Sequence, residues 1–338
     1  MQDDTYLNDY LVRYGDLIPC TTAFIDTRTP GSQEKENFTI IGPGVSENPD
    51  QHVHIPRPHG FNIGGARQPP HCVNSQHSHE TAEVFVVHSG EWRFTTGETG
   101  EDGEVFLHPG DTISIPTRCF RGFENVGQDE GFLFAVLGED DPGRVTWAPY
   151  VFENAKEYGL VLLENGNLID TAAGETVPED ALPMPVTTPD DVQALARLDS
   201  DALEGCVARH QDLNAVSSDL GSGISEAPII GTEPLQSQTG EGNPPLAWRH
   251  GFQVRHMKLE PNAQTQIYTS SSEEVLLIQS GRLTVNINER DITLEPGDVL
   301  SLEIEKPRRI TNNTNTPAEI YVIHGGDSLG LKVHGDKS

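Results

Sequence analysis

One pattern of short strands and turns occurs twice in this chain, and that repetition limits its fold more than any other feature. Aligning Glu83 with Glu274 brings Val84, Ser89 and Gly90 onto Val275, Ser280 and Gly281. After a hairpin four residues shorter in the second copy, Pro109-Gly110-Asp111 meets Pro296-Gly297-Asp298, and the match runs without gaps to Asp140 and Asp327. Ser114/Ser301, Arg121/Arg308, Asn125/Asn312 and Gly138/Gly325 are identical pairs along it. A fixed offset held over more than 30 positions marks an internal duplication. Two copies mean paired domains, and 338 residues suffice to give each a core. Within each copy, short runs rich in β-branched residues alternate with turn signals, as in a β-sandwich or barrel. Val84-Phe85-Val86-Val87 closed by Ser89-Gly90, and Thr112-Ile113-Ser114-Ile115 after Pro109-Gly110-Asp111, are examples.

The rest of the chain divides around these copies. Residues 1–70 read as an N-terminal extension with a few strands, such as Phe38-Thr39-Ile40-Ile41, packing on the barrels. Residues 71–140 form the first barrel, 141–245 a connector of short helices and loops, and 246–330 a degenerate second barrel. In the connector, Thr188-Pro189-Asp190-Asp191 is a helix start: a Thr cap, Pro at the first helical position and acids in the first turn. Val192, Leu195 and Leu198 then share one face. Gly221 to Pro245 reads as loop.

A formal net charge of −30 argues against nucleic acid or anionic membrane as a partner, since both require a basic surface. There is no apolar run long enough to span a membrane and no secretory pattern at Met1–Thr5. Cys20, Cys72, Cys119 and Cys206 are scattered without a C-x-x-C pair, which predicts reduced thiols and a cytoplasmic protein.

The chemistry concentrates in His77-Ser78-His79-Glu80-Thr81-Ala82-Glu83. Two histidines two apart on a strand point to one face, and Glu83, at the start of the next strand, can reach the same point. Two neutral imidazoles and one carboxylate suit Fe(II), Mn(II), Ni(II), Co(II) or Zn(II). This segment, with Gly90 following, resembles the first cupin motif, with His71 in place of its leading Gly. Gly110-Asp111 through Pro116 to Asn125 resembles the second motif with its spacing intact. The resemblance implies an all-β fold of two jelly-roll cupin barrels in tandem, and metal ligands at His77, His79 and Glu83. The family's fourth ligand is a histidine in the second motif. Here that position is Arg121, which has no lone pair to offer.

Arg121 has two readings. In one, its guanidinium faces the metal and grips a substrate carboxylate, a catalytic role. In the other, it pairs with Glu83 and fills the barrel. The second copy keeps Glu274 and Arg308 while Tyr268 and Ser270 replace the histidines, which favours a packing pair. Among other histidines, His71 is the reserve ligand, and His88 points outward by strand parity. His108 precedes a turn, and His52, His54 and His59 belong to loops near the barrel mouth. Phe85, Trp92 and Phe94 are inward candidates.

The architecture resembles the gentisate and 1-hydroxy-2-naphthoate dioxygenase group. That resemblance implies non-haem Fe(II) as the favoured metal, with Mn, Ni or Zn as alternatives, and a small anionic aromatic or enolisable acid as substrate. A metal-dependent cupin isomerase or decarboxylase, and a non-catalytic small-molecule-binding cupin, are the competing expectations. Edge strands need covering, so the expected assembly is a homo-oligomer, dimer or higher.

Overall fold

The structure is a computed structural model that describes residues 9–334; Met1–Thr5 lie outside the described residues. It divides into two compact units. One comprises Ile18–Pro58 and Asn62–Val207, the other the residues up to Leu17, His59–Phe61 and the chain from Ala208. No described helix is long and apolar enough to cross a membrane.

Each unit is a jelly roll of two facing sheets, antiparallel except where Val53–Ile55 runs parallel to Glu36–Ile41, and the strand orders correspond one to one. In the first, the larger sheet runs Thr112–Ile115, Glu83–Ser89, Gly131–Gly138, Phe61–Gln68, Glu36–Ile41, Val53–Ile55. The smaller runs Thr146–Trp147, Val73–Ser78, Arg121–Asn125, Trp92–Thr96, Gly103–Leu107. In the second, Val299–Leu302, Glu274–Ser280, Ala318–Gly325, Phe252–Leu259, Ile224–Ile230 and Val216–Ser217 take the corresponding places in the larger sheet. Leu331–His334, Ile267–Ser270, Arg308–Thr311, Leu283–Ile287 and Arg290–Leu294 take those in the smaller. The duplication read from sequence is therefore a duplication of topology.

Sheet membership redraws the segment boundaries. Glu36–Ile41, Val53–Ile55 and Phe61–Gln68 are integral strands of the first barrel's larger sheet and not a covering extension. Leu11–Val12 instead pairs with Val299 and Leu300 on the edge of the second barrel. That edge would otherwise offer unpaired backbone groups. The connector divides at Val207. Gly221–Pro245, read as loop, contains Ile224–Ile230, a buried strand of the second sheet. Its Pro228 sits at a register shift against Phe252–Leu259, where a missing N–H is tolerated. The surrounding Gly, Ser and Pro hid a seven-residue strand.

Local signals elsewhere hold. Pro189–Gln193 is a short helix with a complete capping box between Thr188 and Asp191. Val192 and Leu195 pack on a cluster around Trp147 and Val151, and Leu198 on the first barrel's core. Phe85, Trp92 and Phe94 are in that core. Gly90 and Gly281, equivalent in the repeat, both have positive φ, 87° and 76°. A Cβ on either would lie 2.7 Å from a facing Cα, of Gly131 or Ala318.

Candidate metal centre

Three strands and a turn converge inside the first barrel. His77 lies near the end of Val73–Ser78, with Arg121 its register partner on one side and Trp147 on the other. The register shifts just after Arg121, at Gly122, where a Cβ would meet the Asn74 carbonyl at 2.7 Å. Only glycine allows the two backbones to approach so closely there. His79 follows the strand, and Glu83 opens the next one across the sheet from Ile115 and Leu137. His77, His79 and Glu83 are all buried, and their ligand atoms lie within 4.8 Å of one another.

The hydrogen bonds show what each group is free to do. His77 Nδ1 donates to the Ser75 carbonyl at 2.8 Å, because a carbonyl can only accept. The lone pair is thereby placed on Nε2. A backbone carbonyl fixing one imidazole nitrogen is the usual support for metal ligation through the other. His79 Nδ1 is buried with no hydrogen-bond partner among the described residues, and its Nε2 is 3.5 Å from Glu83 Oε1. A buried imidazole with neither nitrogen in normal hydrogen-bond range is costly unless something else fills the gap. A metal ion on the Glu83 side would take Nε2, and the His-His-carboxylate donor set fits one.

Arg121 is fully buried and committed to protein partners. Its Nε and Nη2 donate to Glu83 Oε2 at 3.0 and 2.6 Å, and Nη1 donates to the Cys119 carbonyl at 3.2 Å. Of the two readings of Arg121, the structure shows the ion pair; its guanidinium does not line the cavity described below. The pair and a metal are compatible, because Arg121 takes Oε2 and leaves Oε1 turned toward His79.

Burial, then the Arg121 charge, pushes His77 down to about 3 and His79 well below the ordinary histidine value. Both rings are neutral near pH 7, the form that binds metal.

The three side chains open into a cavity of about 70 Å³. Phe38, Phe85, Phe123, Val145 and Trp147 supply apolar walls. Asn37 also lines it, and its Nδ2 is buried without a hydrogen-bond partner among the described residues. Beneath His77, Lys35 and Asp26 form a fully buried ion pair. Lys35 Nζ donates to Asn74 Oδ1 at 2.9 Å and Ser75 N donates to Asp26 Oδ2 at 3.0 Å, which fixes the strand that carries His77. Glu47, behind Trp147, is pushed up to about 8 by burial, so near neutral pH it is largely uncharged. Its Oε1 accepts from Trp147 Nε1 at 2.6 Å.

Sequence reasoning missed Asn37, Lys35, Asp26 and Trp147, because they lie outside the motif and reach the site through sheet pairing. The reserve histidines fall elsewhere. His71 sits in a turn at positive φ with its side chain 74% exposed, near Glu124. His88 packs on Phe132 and Phe134, on the sheet face away from the core. His108 is exposed, His54 bonds the Thr39 carbonyl, and His59 belongs to the other unit, 2.7 Å from Ser301 Oγ.

The equivalent place in the second barrel is filled. Tyr268 stands in register with Arg308 and donates to Glu274 Oε1 at 2.8 Å. Arg308 and His324 approach the same carboxylate at 3.5 and 3.4 Å. Arg255 bonds His324 Nε2 at 2.8 Å and pairs with Glu226.

Two jelly-roll barrels in tandem, one with an open His-His-Glu cluster and one plugged by its own charges, define a double-barrel class with a single candidate centre. A family model described as "Cupin domain" matches residues 66–137 and 255–324. The chain is a bicupin of the cupin superfamily. No curated protein matches it by sequence. Among solved structures it is similar to an oxalate decarboxylase of Lactobacillus farciminis in a formate complex. That match has 13% identity over 96% of this chain and 88% of that one, with a TM-score of 0.57. It is also similar to the oxalate decarboxylase of Bacillus subtilis at pH 4.6, with 14% identity over 96% and 78%, and a TM-score of 0.57. Likeness at this identity speaks for the fold.

Proposed function

We propose that the first barrel is a metal-dependent enzyme site acting on a small anionic acid, and that its reaction is a decarboxylation. The observation that carries the reading is the buried His77–His79–Glu83 cluster, its ligand atoms within 4.8 Å of one another, opening into a largely apolar cavity. His77, His79 and Glu83 hold the ion, and Arg121 is a positioning residue that fixes Glu83 through Oε2. When bound, the ion supplies Lewis-acid or one-electron chemistry at its open positions. Glu83 and Arg121 neutralise each other, so the ion's charge stays uncompensated in a dry site and favours an anionic ligand. Asn37 lines the same cavity, and its Nδ2 has no hydrogen-bond partner among the described residues, so it is a donor available to such a ligand.

Cavity size supports this reading over ring cleavage. About 70 Å³ admits a molecule of a few heavy atoms more readily than a substituted aromatic acid. The similar solved structures named as oxalate decarboxylases support the same choice. The favoured Fe(II) rested on the dioxygenase resemblance; two imidazoles with one carboxylate suit Mn(II) equally.

The test is metal analysis of chelator-free protein, then parallel CO₂ release and O₂ uptake. Oxalate, malonate, β-keto acids and gentisate form the substrate panel. Stoichiometric metal with CO₂ release from a short dicarboxylate is the expected result. Stoichiometric O₂ uptake with gentisate restores the dioxygenase. No metal after reconstitution leaves a binding module.

A further inference from the structure

The second barrel has lost the ligand set inside, yet a different one lies on its outside. His256 is on Phe252–Leu259 and Glu319 on the neighbouring Ala318–Gly325, where Lys258 pairs with Glu319 and His256 with Tyr321. His256 and Glu319 are thus diagonal cross-strand neighbours. Met257, Leu259, Ile320 and Val322 of the same strands face the core, so His256 and Glu319 face away from it. Over them lies the short 3₁₀ turn His210–Asp212, which brings a third side chain. His210, His256 and Glu319 place one ligand atom each within 4.8 Å of one another.

The spacing is informative. His210 Nε2 and His256 Nε2 each lie 3.4 Å from the same atom, Glu319 Oε2. Two histidines donating to a carboxylate would sit at about 2.7–3.0 Å. Two ligand atoms bonded to one tetrahedral zinc at about 2.0–2.1 Å stand about 3.4 Å apart. The rings are 5.0 Å apart and nearly perpendicular, at 83°, so they converge on one point without stacking. His256 Nε2 is buried with no hydrogen-bond partner among the described residues beyond the 3.4 Å approach to Glu319, and the His256 side chain is only 9% exposed. The nearest competing cation, Lys258, is engaged with Glu260 at 2.9 Å.

We propose that His210, His256 and Glu319 form a second divalent-metal site, with Zn²⁺ as its probe ion, on the outer face of the second barrel. The ion ties the 210–212 turn to the two central strands, a structural role. The fourth position faces solvent, since the His210 and Glu319 side chains are 33% and 23% exposed. This inference is independent of the reading of the first barrel.

The experiment is competitive Zn²⁺ titration of full-length, chelator-stripped protein against a chromophoric chelator, with Co²⁺ as a spectroscopic probe. The variants are His210→Gln, Glu319→Gln and His77→Ala. His210 is partly exposed, so its replacement leaves the barrel core untouched. The expected result is one Zn²⁺ equivalent in His77→Ala with the intense visible bands of tetrahedral Co²⁺. That equivalent weakens about 100-fold or more in both His210→Gln and Glu319→Gln. If His77→Ala binds no Zn²⁺, or His210→Gln retains every wild-type equivalent at unchanged affinity, the site does not exist. Failure of the first-barrel reading has the opposite signature: His77→Ala then changes nothing.

Discussion

Replacing Arg121 by Met separates the two demands placed on Glu83. In the wild type both contacts to Glu83 Oε2 come from Arg121, and the pair is buried at 0% and 6% side-chain exposure. Arg121→Met leaves a buried carboxylate without a cation and the Cys119 carbonyl without its donor. Breaking a buried pair from one side costs about 3–5 kcal/mol. For a unit of this size that lowers Tm by on the order of 10 °C. Methionine is close to the arginine stem in volume, so little of the loss comes from a cavity. A divalent ion bound by His77, His79 and Glu83 restores a counter-charge, so saturating metal should recover part of the loss. Arg308→Met is the internal control: Glu274 keeps the Tyr268 hydroxyl and His324, but has no metal to rescue it. The Glu83→Gln/Arg121→Met double variant should regain most of the stability of the metal-free protein. The assay is urea and thermal unfolding, each with EDTA and with saturating Mn²⁺. A loss in Arg121→Met below about 1 kcal/mol, the scale of an exposed pair, would refute the argument. So would equal metal rescue of the Arg121 and Arg308 variants.

Other expectations follow from the same geometry. His77 is depressed from 6.5 to about 3, so below pH 6.5 the unfolded chain takes up a proton that the folded site refuses. Metal-free protein should therefore lose stability as pH falls from about 6.5 toward 3, and His77→Asn should flatten that part of a urea-midpoint profile. Ala135→Leu fills the cavity from a wall position; it should abolish turnover while metal content stays stoichiometric, measured by elemental analysis. Gly90→Ala and Gly281→Ala each force positive φ on a residue with a Cβ and a 2.7 Å approach to backbone. Each should cost about 1–3 kcal/mol in denaturant unfolding, by similar amounts if the two barrels are structural equivalents.

The similarity to oxalate decarboxylases and the expectation of a ring-cleaving dioxygenase share one scaffold, and the scaffold does not choose between them. The proposal of a smaller substrate rests on the cavity wall. Phe38 and Trp147 enter from strands on either side of the motif and close the space around His77 and His79.

The sequence by itself determined the duplication, the strand-and-turn character and the three candidate ligand side chains. These are local: a two-residue period puts His77 and His79 on one face, and a repeated Pro-Gly-Asp turn fixes two registers at once. The Glu–Arg pair was also legible, because both copies keep it. Only the tertiary structure decided which oxygen of Glu83 faces Arg121 and which faces His79, and thus that an ion pair and a metal can share one carboxylate. Only the structure placed Leu11–Val12 on the second barrel, joined 36–41, 53–55 and 61–68 to the first barrel's sheet and made a strand of 224–230, since pairing partners far apart in the chain override weak local composition. His210, His256 and Glu319 belong to the same category. Nothing in their spacing of 46 and 63 residues signals a common point, which exists only because a turn crosses two paired strands.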